Sequence, residues 1–284
     1  MKPRTLVTVG ELAARLDCDD LLVVDCRKDL GDADSGRRAH AQAHIGRAIH
    51  ADLDCDLSDL SKHGLGRHPL PDDHAFSATL SQWGWQPGVS VIAYDDAGGA
   101  LAAARLWWML RLAGVPDVAV LDGGIAAWRE AGLPLGTAAR PRTPSAVDVQ
   151  FDTRELVGYD ELAAGLADRT LCLVDARARP RFRGDVEPLD RVAGHVPGAR
   201  NRPFGDNLGS DGRFADAGAM RQEFLALIGA HAPRHVVHMC GSGVTACHNL
   251  LAMEHAGLAG SRLFAPSWSG WSSEAGRPVA TGDA

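Results

Sequence analysis

The chain has 284 residues, of which 45% are hydrophobic and 23% charged, and this is typical of a globular protein of about two domains. Its formal net charge of -7 argues against a nucleic-acid-binding protein, because such proteins need a basic face that neutralises phosphates. The basic N-terminal segment lacks the apolar run of a signal peptide, and no uncharged stretch reaches transmembrane length. We therefore expect a cytoplasmic protein without a membrane partner.

The six cysteines are not arranged in pairs of the CxxC type, so the sequence predicts neither a zinc ribbon nor a thioredoxin-type motif. In a reducing cytoplasm most of them are expected to be free thiols. Cys26 and Cys172 fall in strand-like apolar runs and are expected in the core. Neither a metal nor an organic cofactor is predicted.

The first half of the chain alternates strand and helix signals. A capping box at Thr8–Glu11 predicts the start of a short helix, because both side chains can satisfy free backbone N–H groups there. Apolar runs without polar alternation predict buried strands, and longer Ala- and Leu-rich runs that end in glycine predict helices. The predicted strands are 21–25, 89–94 and 118–121, and the predicted helices are 100–114 and 124–132. Such alternation indicates a mostly parallel sheet with helices on both faces.

The second half repeats the first. Four segments recur at offsets of roughly 143 to 152 residues, about half the chain, which indicates a duplicated domain rather than a short-period repeat. The segment between the halves is rich in Pro, Ala, Thr and Arg and has no periodic apolar face, so it is interpreted as a linker. The predicted fold class is α/β with two tandem domains, 1–138 and 151–284, joined by a linker at 139–150.

Cys240 follows directly on a predicted strand at 235–239 and precedes a predicted helix at 246–257. In open α/β sheets the chemistry lies beyond the carboxyl ends of the strands. Gly241 and Gly243 allow a tight loop whose N–H groups, together with the helix dipole, can hold an anion. This environment favours a nucleophilic thiolate, and it would also hold a persulfide. The alternative is that Cys240 is a buried structural thiol.

Cys247 lies one turn into the predicted helix. It could form a redox pair with Cys240, but a role in helix packing is the simpler interpretation.

The segment CGSGVTA at 240–246 resembles the active-site loop of rhodanese-family sulfurtransferases, specifically of the 3-mercaptopyruvate type. The thiosulfate type usually carries two basic residues where this chain has Gly241 and Ser242. The resemblance implies two tandem rhodanese-like domains of which only the second is catalytic. It places Asp95 where the first half would otherwise carry a cysteine. Further matching segments are 44–54, 104–110 and 121–124 in the first half, and 175–184, 194–204, 211–214 and 267–271 in the second.

The resemblance also implies roles for individual residues. Sulfur transfer requires proton handling, which similar enzymes assign to a relay of a serine, a histidine and an aspartate. A second set of residues would bind the donor carboxylate and the transferred sulfur. The candidate relay residues are Ser242, His68 and Asp54, and the candidate substrate-binding residues are Arg181, Arg191, Gly241, Gly243, Val244 and Thr245.

The match is incomplete at the second arginine. Similar enzymes carry it directly after a Glu-Pro pair, whereas here Leu189 follows Glu187 and Pro188, so Arg191 is the nearest substitute. The alternative is that Arg191 is a solvated surface residue without a role in substrate binding. Cysteine-loop phosphatases and arsenate reductases are excluded, because they need an arginine six residues after the nucleophile and this chain has Ala246.

The expected function is transfer of sulfur from 3-mercaptopyruvate to cyanide or a small thiol through a Cys240 persulfide. A reduced thioredoxin is a further candidate acceptor. Two alternatives remain open at this point: a thiosulfate:cyanide sulfurtransferase, and a non-enzymatic persulfide carrier or redox module that uses the same cysteine.

Overall fold

The chain folds into two compact α/β units, which a computed structural model describes over residues 5–29, 31–138 and 142–283. The first unit comprises the residues up to Asp59, Leu70–Asp152 and Ser210–Phe214, and the second comprises Leu60–Pro69, Thr153–Gly209 and the residues from Ala215 onwards. This division differs from the predicted boundaries, because the segment 60–69 packs with the second unit although it lies in the first half.

The predicted linker 139–150 begins outside the described residues, since 139–141 are not among them. Its described part packs on the first unit. The backbone N–H of Val149 donates to the Ser77 hydroxyl at 3.0 Å, and that of Ser145 donates to the Ser81 carbonyl at 2.9 Å.

The first unit contains a parallel sheet with the strand order β1-β6-β5-β2-β4, and a short antiparallel pair of β3 with β7. Its elements are β1 (Leu6–Val7), α1 (Val9–Ala13), β2 (Leu21–Asp25), α2 (Ser35–Gln42), β3 (His44–Ile45), β4 (Ile49–His50), α3 (Asp73–Gln82), β5 (Ser90–Tyr94), α4 (Ala103–Leu112), β6 (Val118–Leu121), α5 (Gly124–Glu130) and β7 (Leu135–Gly136).

Local sequence explains these elements. At the start of α1 the Thr8 hydroxyl accepts the Glu11 N–H and the Glu11 carboxylate accepts the Thr8 N–H, which is the predicted capping box. All five residues of β2 and all five of β5 are buried, as expected for central strands of a parallel sheet covered on both faces. After α4 the chain reverses at Gly114, whose φ is +75°.

The second unit repeats this arrangement with a parallel sheet of order β11-β10-β8-β9. Leu156 adds a parallel bridge to β11, as β1 does to β6 in the first unit. The predicted duplication and the α/β fold class are therefore confirmed. The elements of this unit are α6 (Tyr159–Ala167), β8 (Cys172–Asp175), α7 (Arg179–Arg183), β9 (Arg200–Asn201), α8 (Ala217–Ile228), β10 (Val236–Met239), α9 (Ala246–His255), β11 (Arg262–Leu263) and α10 (Ser267–Trp271), with 3₁₀ turns at Thr153–Glu155, Phe204–Asn207 and Pro233–His235.

Each sheet is covered on both faces. In the second unit Leu173 of β8 and Val237 of β10 share one apolar cluster with α6, α7 and α10, to which Trp268 contributes. On the other face α9 packs against β10 and β11, and α8 packs against α9. No helix among the described residues has the length and apolar composition to cross a bilayer.

Candidate active site

Cys240 follows β10 directly, at the carboxyl edge of the second sheet, and only 2% of the residue is exposed. Its backbone N–H donates to the Ser267 hydroxyl at 3.1 Å, and its carbonyl accepts the Trp268 N–H at 2.9 Å. These bonds hold the residue from α10, so the thiol has a fixed position at the end of the strand where α/β enzymes carry their chemistry.

The loop between Cys240 and α9 curls around the sulfur. The Gly243 N–H donates to the Cys240 sulfur at 3.2 Å, and Gly243 has a φ of +81° that favours glycine. Gly241, Ser242, Gly243 and Val244 are buried, and Thr245 is partly buried before α9 starts at Ala246. A backbone N–H that points at the sulfur can stabilise a negative charge on it.

His68 and Ser242 meet in the second unit. The Nδ1 atom of His68 lies 2.8 Å from the Ser242 hydroxyl oxygen, a hydrogen bond between residues 174 positions apart in the sequence. Ser242 lies in the same loop as Cys240, and a histidine bonded to a hydroxyl is an arrangement that can move a proton.

The segment Leu60–Pro69 brings His68 to this loop. The Tyr159 hydroxyl donates to the Gly64 carbonyl at 2.7 Å, and the Arg67 N–H donates to the Ser269 hydroxyl at 3.0 Å. A Cβ atom added to Gly66, whose φ is +87°, would lie 2.4 Å from the Pro266 carbonyl oxygen. The segment therefore lies in close backbone contact with the start of α10.

Asp54, the third predicted relay residue, belongs to the first unit. There its carboxylate forms an ion pair with Lys28, with Nζ and Oδ2 2.6 Å apart, and its backbone N–H donates to Asp52 at 2.9 Å. Its role in the relay stays a prediction.

Two arginine side chains lie beside Gly241. A Cβ atom on this glycine would be 3.1 Å from the Arg67 Nη2 atom and 3.5 Å from both terminal nitrogens of Arg181. Arg181 bonds Glu187 through Nη2 at 2.7 Å and Nε at 3.2 Å. Asp190 contacts both arginines, with one oxygen on Arg67 and the other 3.4 Å from Arg181. Positive charge thus adjoins the loop that follows Cys240.

Arg191, the predicted second substrate arginine, is exposed. Arg67 was not among the site residues predicted from the sequence. The only sequence signal for Arg67 is its place directly before His68.

Glu187 is charged at neutral pH. Burial tends to raise its pKa, but the hydrogen bonds from Arg181 and from the backbone of Leu189 and Asp190 leave the pKa lowered.

A third arginine, Arg177, is a buried cation near Cys240. Its guanidinium donates to both oxygens of Asp175 and to the Gly194 carbonyl at 2.8 Å, and it lies 4.7 Å from the ring centre of Trp268. Burial tends to lower its pKa, but the charges of Asp175 and of a Cys240 thiolate raise it. Arg177 therefore stays charged at neutral pH.

The corresponding loop of the first unit surrounds a carboxylate. Asp95 follows β5 as Cys240 follows β10, and it is fully buried. One of its oxygens accepts the N–H groups of Ala97 at 2.9 Å and Gly99 at 2.7 Å, and the other accepts those of Leu101 at 3.1 Å and Ala103 at 3.3 Å. An aspartate cannot accept sulfur, so this loop lacks the nucleophile of its counterpart.

The remaining cysteines differ in environment. Cys26 and Cys172 are buried, and burial raises the pKa of both thiols, which fits core positions. Cys247 is fully buried, and its thiol donates to the Gly243 carbonyl at 3.4 Å. Cys18 and Cys55 are exposed.

Comparison with known proteins agrees with this architecture. A family model described as the rhodanese-like domain matches residues 8–131 and 159–274. The chain is 48% identical over all of its length to a Pseudomonas aeruginosa protein named a probable 3-mercaptopyruvate sulfurtransferase, which it covers completely. It is 39% identical over 99% of its length to a Mycobacterium tuberculosis protein with the provisional name thiosulfate sulfurtransferase SseB, of which it covers 98%.

Among solved structures, the 3-mercaptopyruvate sulfurtransferase from Leishmania major superposes with a TM-score of 0.82 at 32% sequence identity. The superposition covers 96% of this chain and 75% of the Leishmania chain. The two matches to the family model fall one in each half of the chain, as the duplicated sheets do. This chain therefore belongs to the rhodanese family and carries two tandem rhodanese-like domains.

Proposed function

We propose that the chain is a sulfurtransferase that takes sulfur from 3-mercaptopyruvate and passes it to a thiol or to cyanide through a persulfide on Cys240. The observation that carries this proposal is the 2.8 Å contact between His68 and Ser242 in the loop of Cys240. A donor whose carbon fragment leaves as an enolate needs a proton-transfer group at the reacting sulfur, and this pair is such a group. The similarity to sulfurtransferases that are named for this donor supports the same activity.

In the first half-reaction the Cys240 thiolate attacks the sulfur of 3-mercaptopyruvate. A sulfur–sulfur bond forms, the carbon–sulfur bond breaks, and its electron pair leaves with the carbon fragment as the enolate of pyruvate. The Gly243 N–H and the Arg177 guanidinium are available to stabilise the negative charge on the resulting persulfide.

The proton balance of this step requires a proton-transfer group, and Ser242 and His68 are the candidates for it. The donor thiol loses a proton and the enolate carbon gains one, so a group that accepts and returns the same proton completes the reaction. The Ser242 hydroxyl can relay this proton with His68 as its partner, because the two side chains share a hydrogen bond. The role of Asp54 in this relay is supported by the family resemblance alone.

Arg181 is the candidate to bind the donor carboxylate. It adjoins Gly241, and 20% of its side chain is exposed, so the side chain is partly accessible. The planar guanidinium fits a carboxylate through two parallel hydrogen bonds, which fixes the orientation of the donor as well as its position.

In the second half-reaction an acceptor thiolate or cyanide attacks the outer sulfur of the persulfide, and Cys240 leaves as a thiolate. A reduced thioredoxin is one candidate acceptor, because its thiolate can perform the same attack. The chemistry of both half-reactions is complete with the side chains named here and needs no metal or organic cofactor.

A second candidate donor is thiosulfate. The positive charge of Arg67 and Arg181 beside Gly241 could hold a sulfonate group as well as a carboxylate, and a relative is provisionally named for this donor. Against it, the loop itself has no basic side chain at Gly241 or Ser242, and a His68–Ser242 relay has no proton to move when sulfite is the leaving group.

The donor is identified by measuring thiocyanate formed from cyanide with either compound, and pyruvate formed from 3-mercaptopyruvate. We expect faster turnover with 3-mercaptopyruvate, and faster turnover with thiosulfate would refute this choice of donor. Turnover with neither compound would favour a persulfide carrier or redox module.

Two variants test the residues. We expect Cys240→Ser to abolish turnover and persulfide formation, and surviving activity would refute the mechanism as a whole. We expect Ser242→Ala to slow pyruvate formation much more than persulfide loading from thiosulfate, because only the first reaction needs the proton relay. Equal slowing of both would assign Ser242 to loop structure.

A further inference from the structure

A cavity of about 700 Å³ lies in the second unit. It is bounded by α7, by the turn that leads into β9, by the last turn of α8 and by the segment 280–283. The described residues that line it include none that is assigned to sulfur transfer. Its volume is in the range of sites that bind small organic molecules.

Apolar side chains from three segments form much of the wall of this cavity. Phe182 belongs to α7, Pro197 and Ala199 precede β9, and Leu227 belongs to the last turn of α8. Such a wall suits the apolar body of an organic ligand, because contact with it removes apolar surface from water.

His195 lines the same cavity with a ring that is held in place. Only 2% of the residue is exposed, and its ring stacks on Phe182 with the ring centres 3.8 Å apart. Its Nδ1 atom lies 2.8 Å from the Phe182 carbonyl oxygen. A carbonyl can only accept, so Nδ1 carries the hydrogen and Nε2 of the neutral ring is an acceptor. No residue within 5–29, 31–138 or 142–283 supplies a hydrogen bond to Nε2.

Arg200, on β9, provides the cavity with a positive charge. Its Nη1 atom donates to the Leu227 carbonyl near the end of α8, whereas Nε and Nη2 have no partner in the described part of the chain. These two nitrogens form the edge of the guanidinium that binds both oxygens of a carboxylate or phosphate. The other arginines of the cavity, Arg179 and Arg183, are paired with aspartates.

We propose that this cavity binds an organic acid that has an apolar body, one oxyanion group and one hydroxyl group. The oxyanion contacts Nε and Nη2 of Arg200, and the hydroxyl donates to Nε2 of His195. The apolar body lies against Phe182, Pro197 and Leu227. This site goes beyond the proposed function, because it uses neither Cys240 nor the groups around it.

The probes are 3-hydroxyphenylacetate and 4-hydroxyphenylacetate, which differ in the spacing of hydroxyl and carboxylate. Each is titrated by calorimetry into the full-length protein at about pH 8, where an ordinary imidazole is neutral. We expect at least one isomer to bind at a single site with a Kd on the order of 1 mM or tighter. Absence of binding by both isomers would overturn the proposal.

Two related compounds test the two polar contacts. Phenylacetate lacks the hydroxyl and should bind about 3- to 10-fold more weakly than the better isomer. 2-(4-Hydroxyphenyl)ethanol lacks the charge and should bind about 10- to 100-fold more weakly. Equal affinity for all of these compounds would mean that the cavity selects only for the ring, and it would contradict the proposed contacts.

Arg200→Met should weaken binding of the better isomer about 10- to 100-fold, the loss that corresponds to one charged hydrogen-bonded pair. The matched control is Arg221→Met. Arg221 also donates to carbonyl oxygens at the end of a helix, those of Ala256 and Gly257, but it does not line the cavity. Unchanged binding by Arg200→Met, or an equal loss in both variants, would overturn the proposal.

A second pair of variants fills the cavity without removing a hydrogen-bonding side chain. Ala226 is exposed on α8 and lines the cavity, so Ala226→Trp should abolish binding. Ala219→Trp, at an exposed position of the same helix outside the cavity, should leave the Kd unchanged. Thermal unfolding of each variant checks that it is folded, and full binding by a folded Ala226→Trp would place the probe elsewhere and overturn the proposal.

Two further variants separate this site from the active-site loop and test its hydroxyl contact. Arg181→Met should leave the Kd unchanged, and a loss there without a loss in Arg200→Met would assign the probe to the loop of Cys240 and overturn the proposal. His195→Phe keeps a ring beside Phe182 and should reduce the affinity for the hydroxylated probe to that for phenylacetate. A retained preference for the hydroxylated probe would contradict the contact with Nε2.

Discussion

Adding one methyl group at Gly66 should lower activity without touching a catalytic side chain. A Cβ atom at this position would lie 2.4 Å from the Pro266 carbonyl oxygen and 3.0 Å from the Ser269 hydroxyl. Ordinary contact begins at 3.4 Å, so the backbone of one segment has to move by about 1 Å. His68 lies two residues further along and would move with it.

The matched control is Gly64→Ala in the same segment. Gly64 has a φ of +74°, close to the +87° of Gly66, but an added Cβ would have no atom within 4 Å. Both variants carry the left-handed backbone penalty of about 1–2 kcal/mol, and only Gly66→Ala adds a steric overlap that typically costs about 1–3 kcal/mol. The difference between the two variants isolates the docking of the segment.

The assay is pyruvate formation from 3-mercaptopyruvate, measured beside the free energy of unfolding from denaturant titration. A 1 Å displacement of a catalytic group can lower a rate about 100-fold, so we expect a loss of this order in kcat/KM for Gly66→Ala and little loss for Gly64→Ala. Equal activity of the two variants would refute the inference that the contact of Gly66 with Pro266 positions His68.

Three further predictions concern the relay, the pH dependence of stability and the first unit. His68→Gln should slow pyruvate formation by about 10²- to 10⁴-fold and leave persulfide loading from thiosulfate, followed by intact mass, nearly unchanged; loss of both would contradict a relay. Burial lowers the pKa of His238 from 6.5 to about 3, so between these values the unfolded chain binds a proton that the folded chain does not. The free energy of unfolding should therefore fall by about 1.4 kcal/mol per pH unit as the pH drops through this window. His238→Leu should remove this contribution to the pH dependence of the free energy of unfolding, measured by denaturant titration. The control His74→Leu, at an exposed histidine, should leave the contribution in place. Asp95→Ala leaves four backbone N–H groups without their acceptor, two of them buried, and should destabilise the protein by about 3 kcal/mol or more. The exposed Asp96→Ala is the control, and a thermal shift no larger than that of the control would contradict the bonding described here.

Local patterns were sufficient to predict the α/β fold and its duplication. Runs such as Leu21–Asp25 become central strands because a parallel sheet buries both faces of each strand. Consecutive apolar residues meet that requirement and can be recognised in the sequence. The same logic placed Cys240 at a strand end before a helix, since strand, glycine loop and helix adjoin in sequence. Comparison of the two halves of the sequence also indicated that Asp95 stands at the position that corresponds to Cys240.

The sequence alone could suggest His68 and Arg181 only through family resemblance, and it did not suggest Arg67 at all. The reason is distance along the chain: His68 and Ser242 are 174 residues apart, and Arg67 and Asp190 are 123 apart. Such contacts follow from the packing of Leu60–Pro69 with the second unit, which leaves no periodic signal in the sequence.

Local sequence thus predicted that Cys240 is the nucleophile and that it lies in the second half of the chain, because the strand, the glycine loop and the helix that indicate it are neighbours in the sequence. Only the tertiary structure decided what surrounds that nucleophile. The buried Arg177 near Cys240, the carboxylate of Asp190 between two arginines, and the four N–H groups around Asp95 all arise from backbone curvature and burial. These are properties of the folded chain, since they require donors and charges to be removed from water and directed at a single point.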